Sequence, residues 1–168
     1  REAAIAKLKE SYDGYHFSAE SPDVFNPYSL LNSFSKKEFG DYWFGSGTPT
    51  YLINMMRKFN VLPTDIITRI EADASEFDAP TETMVSIMPL LYQSGYITIK
   101  DYNRDYNYYT LDVPNKEVKV GLTRALIPAY VTHNTLATTN TARRIAQALD
   151  KQDMNGALEL LQTFLGTV

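Results

Sequence analysis

Apolar positions recur along this chain in helical, then strand, then again helical rhythm. In EAAIAKLKESY, Ile5 and Leu8 share a face while Lys7, Lys9 and Glu10 lie off it, which predicts a helix from Glu2 to Tyr12. Gly14 is placed to end it with a positive φ. Tyr15-His16-Phe17 alternates like a short strand, and Val24-Phe25 is its expected return. Asn26-Pro27 is a helix start, Asn as cap and Pro in the first turn, with Leu30, Leu31 and Phe34 spaced for burial. The aromatics of YDGYHF (12–17) are then expected to fill a core between two helices. A second helix start, Thr48-Pro49, leads into an apolar stripe of Tyr51, Leu52, Met55, Met56 and Phe59.

The middle of the chain changes character. Asp65, Glu71, Asp73, Glu76 and Asp78 lack calcium-loop spacing and predict a solvated connector. Met84, Ile87, Met88 and Leu91 predict a helical segment over 84–94, kinked or split at Pro89 and ended by Gly95. Tyr96–Ile99 and Tyr108–Leu111 are β-rich runs around a polar turn, hence a hairpin. Pro114 stops the second strand, and Asn115 caps a helix through Val118, Leu122, Leu126 and Ile127. Helix, Gly, strand, turn, strand, helix is the order of a winged-helix module with the hairpin as its wing. A Thr- and Asn-rich stretch over 131–140 predicts a linker. Two helices close the chain, one with Ile145, Ala146 and Leu149, the other capped by Asp153 and carrying Leu158, Leu161 and Leu165.

The fold class expected is therefore α+β and mostly helical: a helical subdomain over 1–60, a winged-helix module over 61–130 and a helical hairpin over 131–168. Composition changes this little. The 168 residues are 44% hydrophobic and 21% charged, with net charge −4, so nothing global points to nucleic acid or an anionic membrane. No cysteine occurs, which removes disulfides and thiolate metal sites and predicts a reducing, cytoplasmic setting. No apolar run approaches the roughly 20 residues that span a bilayer. Both ends of the sequence look cut from something longer. There is no phosphate loop ending in Lys-Ser or Lys-Thr, no His cluster and no G-x-S-x-G elbow around Ser46. His16 and His133 are far apart in sequence. A self-contained active site is not expected.

Five motifs then occur in order: YDGYHF, VFNPYSLLNSF, YWFGSGTPTYLI, PLLYQSGYITIKDY and YTLDVPNKEVKVGL. Together they resemble the C-terminal half of the AAA-ATPase-like proteins of Bacteroidetes, strongly over residues 5–130 and weakly beyond. The resemblance implies a lid and a winged helix, preceded in the parent chain by an ATPase core that holds ATP and magnesium and followed by a PD-(D/E)XK nuclease-like domain. It implies that this portion is non-catalytic, relays nucleotide state to that effector domain, and places Gly47-Thr48-Pro49 near the adenine of bound nucleotide. Gly permits close backbone approach to a flat base and Pro offers a rigid apolar face; the same three residues also make an ordinary helix start. The alternative is a nucleic-acid-binding winged helix. Lys100, Arg104, Lys116, Lys119 and Arg124 lie on or near the wing, interleaved with Tyr102, Tyr106 and Tyr108. Asp101, Asp105, Asp112 and Glu117 lie equally close and would repel phosphate.

Overall fold

The structure, a computed structural model, describes residues 2–44, 50–130 and 135–165. It is α+β and mostly helical. The chain divides into two compact units, 1–126 and 127–168. The first contains α1 (Glu2–Tyr12), α2 (Pro27–Lys36), α3 (Thr50–Lys58), α4 (Pro63–Ile67), β1 (Ile70–Ala72), α5 (Ala74–Phe77), α6 (Met88–Gln93), β2 (Thr98–Asn103), β3 (Tyr108–Asp112) and most of α7 (Lys116–Tyr130). The second contains α8 (Thr135–Asp150) and α9 (Met154–Leu165).

Local chemistry sets many of these boundaries. Asn26 Oδ1 accepts from the amides of Tyr28 and Ser29 and so starts α2. Asn115 Oδ1 accepts from Val118 N and starts α7. Asp153 Oδ1 accepts from Gly156 N and starts α9. Gly14 and Gly95 take φ of 94° and 75°, ending α1 and α6. The expected hairpin is present, with β2 and β3 antiparallel and Ile99 opposite Leu111.

Several expectations are corrected. The acidic stretch is no mere connector: it supplies β1, which pairs with β3 to give a three-stranded antiparallel sheet of order β1-β3-β2. Its carboxylates are partly helix caps, Asp65 accepting from Leu62 N and Glu76 from Asp73 N, both at 2.8 Å. The helix expected over 84–94 shrinks to α6, preceded by a 3₁₀ turn at Thr81–Thr83. Pro89 lies in the first turn of α6, where its missing N–H costs nothing. In α2, Leu31 and Phe34 are exposed, and Ser29 and Ser33 are the buried residues. In YDGYHF, Tyr12 is buried but Phe17 is 72% exposed. The expected strand pair there reduces to one bridge, Tyr15 to Val24.

The core of the first unit gathers Met56, Ile66, Leu91, Ile97, Leu111, Val118, Leu122 and Leu126, each at most 1% exposed. These come from α3, α4, α6, the segment before β2, β3 and α7, and residues 1–126 form one compact unit. On α3 the buried face is Leu52, Ile53 and Met56, while Tyr51 points to solvent. In the second unit, α8 packs on α9 with Thr138 and Ala157 buried; α8 begins at Thr135, inside the stretch expected as linker. Among the described residues no helix is long and apolar enough to cross a membrane.

Candidate functional site

The hairpin base, the turn after α1 and the start of α7 meet at one joint. β2 carries an extra residue between Ile99 and Asp101 relative to β3, and a bulge of this kind re-aims a side chain. Here it is Lys100, whose Nζ donates to the carbonyls of Gly14 (2.6 Å) and Pro114 (3.2 Å). Burial lowers its pKa, against the opposing pull of Asp23, Asp112 and Asp13. Asn115 Nδ2 donates to Asp13 O, and Thr98 Oγ1 donates to His16 O while accepting from His16 N. The backbone of Asp13, Gly14 and His16 is thereby tied to the hairpin and to α7. Gly14 has no room for a side chain, since an added Cβ would overlap the Pro114 carbonyl.

The basic residues singled out from the sequence are mostly spoken for. Arg104, in the hairpin turn, pairs with Glu20. Lys116 pairs with Glu10 at 2.8 Å, which holds the Glu10 carboxyl below its usual range. Arg124 pairs with Asp41. Lys100 is committed to two carbonyls. Lys119 is exposed on α7. Tyr102 donates to Asn107 Oδ1 at 2.6 Å, Tyr108 accepts from Asn103 Nδ2, and Tyr106 is 78% exposed. No continuous cationic face results.

Glu117 is the residue that sequence reasoning passed over as a repelling surface charge. It is 3% exposed, and its Oε1 accepts from Trp43 N at 2.9 Å. Oε2 makes no hydrogen bond, nor does the buried Ser29 hydroxyl nearby. Burial raises its pKa; the amides of Trp43 and Tyr42 and the proximity of Ser29 pull the other way, and Asp41 adds to the rise. One turn on, Gly121 lies against the Phe44 ring, leaving no space for a Cβ. The first turns of α7 thus grip residues 43 and 44. The signal was present in the sequence as Glu117 and Gly121 four apart, beside the apolar line of Val118 and Leu122.

Gly47, Thr48 and Pro49 lie outside the described residues. Among the described residues no group of three or more His, Asp or Glu is arranged to hold a metal ion. His16 Nε2 contacts Asp23 at 3.0 Å, and its Nδ1 is buried without a hydrogen bond. The geometry here is that of a braced joint.

Comparison with known proteins adds one relative. The chain is 34% identical over 127 residues to an uncharacterized protein in the vnfD 5′ region of Azotobacter chroococcum mcd 1. The match takes in 74% of this chain and 24% of that protein, so the chain spans about a quarter of the length of the curated relative it matches. No family model matches, and no solved structure matches.

Proposed function

We propose that this chain is the lid and winged-helix portion of an AAA-ATPase-like protein, non-catalytic itself, relaying the nucleotide state of an ATPase core to an effector domain of the same polypeptide. The run α4, β1, α5, α6, β2, β3 with sheet order β1-β3-β2 supports the winged-helix part, with residues 104–107 as the wing tip. In this reading ATP and magnesium belong to the core. The chain contains no phosphate loop, and Arg104, Lys116 and Arg124 are engaged in ion pairs, so a triphosphate finds little to bind it near the wing.

The observation that favours relay over nucleic-acid binding is the internal pairing of the cations. Glu10, Glu20 and Asp41, all from the N-terminal segment, take up Lys116, Arg104 and Arg124. Nucleic-acid affinity comes chiefly from cations free to displace counterions. Moreover α6, the helix in the position that reads a major groove in helix-turn-helix proteins, has the sequence MPLLYQ with no charge, and its Pro89 and Leu91 are buried. The exposed apolar face of α2, formed by Tyr28, Leu31 and Phe34, is the surface the ATPase core would cover.

The test uses a chain that includes the ATPase core. Pro49→Ala should weaken adenine-nucleotide binding by about 1 kcal/mol, the loss of part of an apolar contact, with the Tm of the apo protein measured alongside. Unchanged affinity with a lowered apo Tm would make Pro49 only a helix-starting residue and remove the lid reading's support at that site. Salt-dependent binding to duplex DNA tighter than the nonspecific range of about 10⁻⁴–10⁻⁶ M would turn the reading to the alternative.

A further inference from the structure

Tyr15, Phe17, Phe25, Trp43 and Tyr92 are among the residues that line one cavity of about 610 Å³. That volume falls within the range of small-molecule sites, roughly 300–1,000 Å³. The cavity is bounded by the turn after α1, the start of α2, the C-terminal end of α6 and the base of β2. From this geometry we infer that it is a binding site for a compact, flat, uncharged aromatic ring. The inference does not depend on the relay reading.

The absence of charge in the lining comes first. None of the described residues that line the cavity is Lys, Arg, Asp or Glu, and the one imidazole, His16, has its Nε2 against Asp23. Nothing there would repay the desolvation of a phosphate or a carboxylate.

Several polar groups of the walls are engaged within the protein, while His16 Nδ1 is buried without a hydrogen bond. Burial pushes the Tyr15 hydroxyl pKa up to about 12, against a smaller downward pull from the Asn26 side chain. Asn26 Oδ1 caps α2, Thr98 Oγ1 is tied to the His16 backbone, and Gln93 Nε2 donates to Ala79 O at 2.7 Å. What the cavity presents to a ligand is mostly apolar, with aromatic residues prominent in its lining.

Gly95 lies against the ring edges of Tyr15 and Trp43. At φ 75° it has no side chain between the rings of Tyr15 and Trp43; an added Cβ would stand 3.4 Å from Tyr15 Cε1 and 4.0 Å from Trp43 Cζ2. A planar ligand ring entering beside these aromatic residues gains by offset stacking or edge-to-face contact.

Trp43 is the chain's single tryptophan, so its fluorescence reports on the cavity directly. The 168-residue chain would be titrated with benzamide, with benzoate as the same ring carrying a charge, and with cyclohexanecarboxamide as the same amide without planarity. Saturable change in Trp43 emission with benzamide, at least about fivefold weaker with either control, is the expected result; stacking contributes on this scale. Phe17→Ala, at a residue already exposed, should weaken benzamide binding about threefold to tenfold with an unchanged circular dichroism spectrum, while Leu31→Ala on the neighbouring helix should not. No saturable response, equal binding of the three probes, or full affinity in Phe17→Ala would overturn the assignment.

Discussion

The Lys100 ammonium donates to the Gly14 carbonyl at 2.6 Å, across 86 positions of sequence. A second bond reaches Pro114 O, so one side chain joins the turn after α1, the hairpin and the approach to α7. Lys100→Met keeps the aliphatic stem and leaves two buried carbonyls without their donor. Denaturant unfolding should show a loss of about 1–3 kcal/mol; an unchanged midpoint would mean that water replaces the ammonium at no cost.

Gly14→Ala tests the same joint from the other side. The residue has φ of 94°, and a Cβ would overlap backbone oxygen, which has no flexible end to swing away. The expected destabilisation exceeds about 2 kcal/mol. Wild-type stability in this variant would show that the turn is free to move from Pro114.

Glu117 gives the protein a pH signature. Its folded pKa is raised above the ordinary 4.5, burial being the main cause. The folded state therefore holds this proton more tightly than the unfolded chain. The stability it contributes is present below the unfolded value and is lost as pH rises through the folded one. Glu117→Gln keeps an acceptor for Trp43 N and removes the titration. Wild type minus variant unfolding free energy should thus be smaller near about pH 7 than near about pH 4. A difference that is flat with pH, or that grows, would contradict the buried, proton-retaining carboxyl.

Two leucines on helices of the same unit should behave oppositely. Leu91 on α6 is 0% exposed and Leu31 on α2 is 65% exposed. Leu91→Ala should cost about 2–5 kcal/mol, and Leu31→Ala should stay within about 0.5 kcal/mol. A large loss from Leu31→Ala in this chain would mean that the outward face of α2 is already covered, by a second copy for instance. Sedimentation of both variants would reveal that.

Much of the secondary structure was legible in the sequence because its causes are local. Asn26, Asn115 and Asp153 act on amides two or three residues away, and Gly14 and Gly95 end helices through their own φ. The hairpin follows from two β-rich runs joined by a short polar turn. These effects need no partner from elsewhere in the chain, so composition and spacing suffice to place them.

Tertiary structure alone decided the rest, because the deciding partners are far apart in sequence. Three acidic-stretch residues become β1 only because β3 supplies hydrogen-bonding groups 37–41 positions later. The apolar periodicity of α2 predicts that Leu31 and Phe34 face inward, yet Ser29 and Ser33 do so, the latter donating to Glu38 O. The cations resemble a nucleic-acid face when read along the chain, until Glu10, Glu20 and Asp41 arrive from 83 to 106 residues away. Glu117 looks like a solvated first-turn acid until folding buries it and makes its Oε1 an acceptor for Trp43 N. Periodicity tells which residues share a face, but what that face meets depends on the neighbour that folding brings to it.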